Sequence, residues 1–215
     1  MSGHVAADLF AAACPALLLT LGFQRALGSL PLSLRGWKLL LVSGALVAGV
    51  LLLPIGGIVA ARWVAAISAN FSIPFIGTLA IALWERTFSR PFFSRREWRA
   101  SWGFGAIGGL TLYPMALGVG SVDPYEWGWR FSPLFVVIAA LTVWLIWKQN
   151  RFGLLLLLAT LAFHLRLLES INYWDYLVDP VYCVASLVVL GRRLAARGRA
   201  VAPAAPSQLP TSSLN

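Results

Sequence analysis

The sequence predicts an all-α protein, a bundle of about seven transmembrane helices with its N-terminus outside and its C-terminus in the cytoplasm. Three observations predict this fold: an apolar composition, a series of apolar segments and an uneven distribution of charge. Of the 215 residues, 59% are hydrophobic and only 12% are charged, and the mean hydropathy is +0.78. Because soluble domains carry about 25% charged residues, this chain has too few to cover a water-soluble globule. Lipid is therefore expected to form part of its solvent.

The apolar segments divide the chain into seven expected crossings of a hydrocarbon core about 30 Å thick. These crossings are residues 5–24, 37–59, 72–88, 100–120, 131–147, 152–168 and 179–192. The last two are short and require little tilt or thinned lipid. Residues 1–199 are expected to form a single transmembrane domain, and residues 200–215, rich in Pro, Ala and Ser, a disordered cytoplasmic tail. Because residues 1–8 lack Lys and Arg, a cleaved signal peptide is not expected.

The basic residues are concentrated on one side of these crossings. If the chain begins outside, every one of the 17 Lys and Arg residues except Arg62, Arg130 and Arg166 falls in a cytoplasmic segment, as the positive-inside rule requires. All but two of the eight acids fall outside. The net charge of +9 is thus mostly a signal of topology. We expect the plasma (inner) membrane of a bacterium, and no nucleic acid partner, because Lys and Arg form no stripe interleaved with aromatic residues.

The segment between the second and third crossings has two interpretations. Trp63, Ile67 and Phe71 recur at helical spacing and share one face. Residues 61–71 are either a short amphipathic helix in the outer interface or an extension of the third crossing. Ser72, just before an Ile-Pro pair, is expected to start that third helix and to cap it with its hydroxyl group.

Small residues in the fourth crossing predict close helix packing. Ser101, Gly105 and Gly109 are four residues apart, and such spacing lets two helices approach closely in lipid.

Three prolines interrupt the predicted crossings. Pro15, Pro54 and Pro114 each lie in the outer half of a crossing, where a proline frees a backbone carbonyl that needs a new partner or a wet cavity. These prolines have two interpretations. Either the helices separate at the outer side, or membrane helices simply tolerate proline at these positions.

Polar residues near the outer ends of the last two crossings form the candidate site. His164 and Arg166 lie near the outer end of the sixth crossing, where an ionisable group is costly and is a functional candidate. Glu169 is expected to pair with Arg166 on one helix face. Asp175 and Asp179 share a face if the last helix begins early. Together with histidine, these carboxylates would suit proton transfer or cation binding.

Several members of this cluster also have a structural interpretation. A satisfied core histidine is the favoured interpretation of His164, the N-cap of the seventh helix that of Asp179, and a tight turn that of Asp123. The candidate ligand-binding residues are His164, Arg166, Asp175, Asp179, Asn70 and Asp123. No motif identifies a cofactor, and no metal site is predicted.

Two functional hypotheses follow. The first is a non-catalytic small carrier or binding module, or an accessory subunit of a membrane complex, with the bilayer and another membrane protein or a small molecule as partners. The second is an enzyme at the outer interface, with His164 as general base and Asp175 or Glu169 orienting it. The lack of a nucleophile elbow or a phosphate-binding loop favours the first.

Overall fold

The computed structural model describes residues 2–30, 34–67 and 70–201, and it is mostly helical. The helices are α1 (Ser2–Gly28), α2 (Trp37–Leu52), α3 (Ala60–Ile67), α4 (Ile73–Phe88), α5 (Arg95–Ala116), α6 (Pro133–Trp147), α7 (Phe152–His164), α8 (Tyr173–Leu177) and α9 (Pro180–Val201). A 3₁₀ turn spans Pro124–Gly128. Strands β1 (Pro54–Ile55) and β2 (Ile58–Val59) form an antiparallel hairpin. The all-α class is confirmed, whereas residues 202–215 of the predicted tail lie outside the described residues.

Seven of these helices occupy the seven apolar segments in chain order: α1, α2, α4, α5, α6, α7 and α9. In the described part of the chain, one helical stretch, Ala11–Gly28, is long and apolar enough to cross a membrane by length and composition. The apolar helices α2, α6 and α7 are shorter. Helix length and composition therefore do not confirm the predicted bundle of seven crossings.

The second segment departs from the prediction. Its helix ends at Leu52, and Pro54 begins the hairpin instead of lying inside a helix. Gly56 and Gly57 form the turn with φ angles of 61° and 80°, which a two-residue hairpin turn requires and which glycine adopts without steric cost. Helix α3 then follows and ends at Ile67. Because α4 begins only at Ile73, the described residues 61–67, 70 and 71 are not part of α4.

The contact between α5 and α9 depends on the small residues of α5. A Cβ atom on Gly105 would meet the Ser186 hydroxyl and the Tyr182 ring, and one on Gly109 would overlap the side chain of Cys183. The two helices therefore pack at a distance that only glycine permits, as the spacing of small residues predicts.

The two acids on the predicted inner side organise the loops there. Glu85 accepts hydrogen bonds from the Phe92 and Phe93 amides at 2.8 and 2.6 Å. Glu97 accepts from the amides of Ser94 and Arg151 at 2.6 and 2.8 Å. Burial acts to raise the pKa of Glu97, but these hydrogen bonds outweigh it and lower the pKa from its ordinary value. Both acids thus accept hydrogen bonds from backbone amides in the loops that join α4 to α5 and α6 to α7.

We predict that Gly109→Ala destabilises the fold. The new methyl group must displace the Cys183 side chain in a packed interface, and overpacking of this kind costs about 1–3 kcal/mol. Thermal unfolding in a mild detergent measures the loss. Gly103→Ala is the matched control on the same helix, because its Cβ atom meets open space. An unchanged melting temperature for Gly109→Ala would contradict the tight α5–α9 contact.

Candidate functional site

A buried carboxylate joins the starts of two helices at the outer end of the bundle, the end that carries residues 121–132 and 165–179. Asp179 is 2% exposed. Its Oδ2 atom accepts hydrogen bonds from the Ser72 amide at 2.9 Å and the Ser72 hydroxyl at 2.7 Å. Its Oδ1 atom accepts from the Tyr182 amide at 2.8 Å. Asp179 therefore caps α9 and holds the start of α4 beside it.

Ser72 has a different partner from the one that the sequence suggests. Its hydroxyl makes no capping hydrogen bond to α4 and donates instead to Asp179. The reason is the proximity of a buried carboxylate, which needs donors more than a helix end does.

A chain of hydroxyl groups continues from this point into the bundle. The Tyr182 hydroxyl donates to the Ser101 carbonyl at 2.6 Å and lies 3.0 Å from the Ser101 hydroxyl. The Ser101 hydroxyl lies 2.8 Å from that of Thr78, which donates to the carbonyl of Pro74. These side chains are fully buried, so a chain of three hydrogen-bonded hydroxyl groups lies in the interior between α4, α5 and α9.

Asp175 is the centre of a second, separate group. Its Oδ2 atom accepts hydrogen bonds from the Tyr125 hydroxyl at 3.1 Å and the Ser170 hydroxyl at 2.5 Å. Burial first, and then the negative charge of Asp175 and the hydrogen bond to it, raise the pKa of Tyr125 to about 12. Asp175 thus ties the loop before α8 to the 3₁₀ turn.

The contacts around Asn172 hold the same two loops together. Its side-chain amide donates to the Tyr125 carbonyl at 3.0 Å, while its Oδ1 atom accepts from the Trp174 amide. The Trp174 indole donates to the Pro124 carbonyl at 2.7 Å. Gly128 leaves room for this arrangement, since a Cβ atom there would overlap the Asn172 side chain. The outer loops are therefore joined into one cap by hydrogen bonds.

The predicted carboxylate cluster is divided between these groups. Asp175 belongs to the short helix α8, whereas Asp179 follows an extended Val178, so the two do not share a helix face. Asp123 is exposed and caps its own turn through the Tyr125 amide at 2.8 Å. Asn70 is half-buried just before α4.

The basic and acidic residues after α7 are also apart. Because α7 ends at His164, Arg166 and Glu169 lie beyond it on no common helix face. Arg166 adopts a left-handed backbone with a φ angle of 50°. Both side chains are exposed, and no ion pair joins them among the residues that the structure describes.

His164 lies beside an aromatic groove. Its Nδ1 atom is 2.8 Å from the Thr160 carbonyl, one turn back on α7. The imidazole meets the Phe163 ring edge to face. The groove runs between α6 and α7, has a volume of about 540 Å³ and includes Arg130 at its outer end. No carboxylate in the described ranges contacts either His164 or Arg130 by a hydrogen bond or an ion pair. The mouth of the groove therefore carries one permanent positive charge and one imidazole ring.

The wall of the groove consists of stacked aromatic rings. Phe135 stacks on Tyr173 with ring centroids 4.4 Å apart, and Phe163 lies 4.9 Å from the same ring. The Tyr173 hydroxyl is paired with Thr160 at 2.7 Å, so this wall presents rings and no free polar group. Sequence reasoning missed these aromatic residues. It noted Arg130 as an exception to the charge rule, and this exception was the available signal.

The described residues contain no group of three or more His, Cys, Asp and Glu side chains that could hold a metal ion. Comparison with known proteins finds no family model, no curated protein and no solved structure that matches this chain.

We predict that Asp179→Asn destabilises the protein. The substitution replaces an acceptor oxygen by an amide that faces existing donors, and a buried donor left without a partner costs about 1–3 kcal/mol. Thermal unfolding in detergent is the measurement. Asp123→Asn is the control, because it changes the same atoms at an exposed turn. Equal melting temperatures for the two variants would show that the Asp179 clamp contributes nothing to the fold.

Proposed function

We propose that this chain is a multi-pass protein of a bacterial-type plasma membrane, with seven crossings and its N-terminus outside. Large apolar side chains on the helix surfaces support this. Leu41 on α2, Ile107 on α5 and Val143 on α6 are 61%, 70% and 67% exposed. Soluble monomers rarely present apolar patches of this extent to water, whereas lipid accommodates them at no cost. The concentration of arginine on one side supports the orientation.

The shortest helix in this proposal is α7. Its 13 residues span roughly 20 Å at about 1.5 Å per residue, less than the ~30 Å core of a typical bilayer. Leu165 and Ile171, which follow it, are more than half exposed and extend the apolar surface beyond the helix. A locally thinned bilayer accounts for the remainder.

Within the membrane, the function that the geometry supports best is binding without catalysis. The single observation that carries this proposal is the position of Arg130 and His164 at the mouth of the aromatic groove. We infer a ligand with an anionic head and an apolar body. The head would contact the arginine, whose planar guanidinium suits carboxylate and phosphate groups, and the body would lie along the rings of Phe135 and Phe163.

The hydrogen-bond partners of the carboxylates also favour binding over catalysis. A general base at His164 would be oriented by a carboxylate on its second nitrogen. Asp175 is instead occupied by Tyr125 and Ser170, and the Nδ1 atom of His164 faces a backbone carbonyl.

The enzymatic alternative has one observation in its favour. With Nδ1 donating to the Thr160 carbonyl, the Nε2 atom of a neutral His164 would be an available acceptor. If His164→Ala leaves the cellular phenotype of the wild-type gene intact, this alternative fails.

The proposed topology predicts where single cysteines react. Cys14 and Cys183 are buried and provide a low background. In intact cells, Ser121→Cys should react with a membrane-impermeant maleimide, and Arg90→Cys should react only after permeabilisation. Labelling of Arg90→Cys from outside would refute the orientation, and labelling of both from outside would refute the number of crossings.

The ligand proposal predicts a charge-dependent affinity at the groove. The protein in detergent should bind parinaric acid, a fluorescent anionic fatty acid, more tightly than its neutral methyl ester. Arg130→Gln should weaken binding of the acid by about tenfold, since a charge-assisted hydrogen bond is lost. The ester should bind as before.

Arg62→Gln is the matched control, because it removes another exposed basic charge that is predicted to lie outside but does not line the groove. If Arg62→Gln lost as much affinity for the acid as Arg130→Gln, the effect would come from net charge and not from the groove. If the wild-type protein bound the acid and the ester equally tightly, the proposed recognition of an anionic head would be wrong.

A further inference from the structure

Four arginines converge at the inner end of the bundle. Arg95 and Arg99 are one turn apart on α5, and Arg193 and Arg197 are one turn apart on α9. Together they line a single cavity of about 490 Å³. All four are exposed, and no carboxylate in the described ranges forms an ion pair with them. Four like charges on two packed helices repel one another, so this cavity is suited to an anion.

The cavity continues into an apolar groove. Arg99 also lines a second space of about 420 Å³ between α5 and α6, whose walls are almost entirely apolar and which reaches Trp174. From Arg99 to Thr111, this groove follows α5 for roughly 18 Å at about 1.5 Å per residue. One leaflet of a hydrocarbon core is about 15 Å deep. The groove therefore has the length of one acyl chain.

We propose that this composite site binds an anionic phospholipid of the cytoplasmic leaflet. The phosphate would lie among the four arginines, and one acyl chain would follow the groove between α5 and α6. The assignment depends on the proposed membrane location, but it concerns a different face of the protein from the groove at Arg130. Arginine pairs of this kind bind phosphate oxygens in a bidentate manner. Four of them match a headgroup with two phosphates, such as cardiolipin.

The test is a titration of the detergent-solubilised protein with cardiolipin, followed by native mass spectrometry, with phosphatidylcholine as the neutral lipid. The double variant Arg99→Gln, Arg193→Gln should weaken cardiolipin binding by at least about tenfold, since charge-assisted hydrogen bonds are lost. The control Arg96→Gln, Arg192→Gln removes the same charge from adjacent positions that do not line the cavity, and it should change binding by less than about twofold.

A second pair of variants tests the acyl chain. Gly103 lines the groove and has open space around its Cβ position, so Gly103→Leu should fill the groove without disturbing the fold. It should weaken cardiolipin binding and leave binding of inorganic pyrophosphate unchanged. Gly191→Leu on α9, also with open space around it, should affect neither probe.

Three results would overturn the proposal. Equal losses in both arginine pairs would indicate diffuse attraction between charges. Pyrophosphate binding as tight as cardiolipin binding would indicate a site for a free phosphate compound. Equal binding of cardiolipin and phosphatidylcholine would show that the site does not select an anionic headgroup. The proposed topology is tested separately, by the labelling of Arg90→Cys with the membrane-impermeant maleimide.

Discussion

The carboxylate of Asp179 is the interaction on which the positions of the central helices depend. A buried charge is tolerated only where donors surround it, and the two donors of Ser72 and the amide of Tyr182 meet that requirement. Because one donor residue starts α4 and the other lies in the first turn of α9, these two helices must begin side by side. In the apolar interior each of these hydrogen bonds is stronger than it would be in water. The carboxylate thus fixes two helix starts that are 107 residues apart in the chain.

The position of α9 then determines that of α5. Gly105 and Gly109 bring α5 close enough for the Tyr182 hydroxyl to reach the backbone carbonyl of Ser101. The result is a bundle with one half, made of α4, α5 and α9, whose interior contains hydrogen-bonded hydroxyl groups. The remaining face, along α6, offers aromatic and aliphatic surface instead. Trp144 of α6 lines both the space between α5 and α6 and the apolar surface that continues from the outer groove. Both proposed binding grooves therefore border α6: the outer one lies between α6 and α7, and the inner one lies between α6 and α5.

The positions of most helices could be predicted from the sequence because apolar segments of sufficient length have few alternatives. The hairpin after α2 could also have been predicted from the sequence, since a Pro-Ile-Gly-Gly-Ile-Val run combines a helix breaker with two residues suited to a tight turn. It was assigned to a crossing because its residues are apolar. The capping box of Ser94 and Glu97 was another available local signal.

The candidate site could not be assembled in the same way. Spacing along the chain describes neighbours only while a helix continues, and α7 ends at His164. The left-handed conformation of Arg166 then redirects the backbone, so that residues expected on one face separate. The pairing of Ser72 with Asp179 has no local pattern at all. The aromatic residues of the groove were not predicted, because the stacking of Phe135 in α6 on Tyr173 in α8 depends on tertiary structure.

The exceptions to the charge rule are the residues that carry the most information about this protein. Glu85 and Glu97 lie on the predicted arginine-rich side, and each is explained by backbone amides that need an acceptor. Arg130 lies on the opposite side, and no acceptor is recorded for it in the part of the chain that the structure describes. Arg130 is an exposed cation at the end of a groove lined by stacked rings, and it has no partner carboxylate among the described residues. This supports the proposal that it binds an anionic group from outside the chain. For this reason we expect the anionic part of a ligand to contact Arg130.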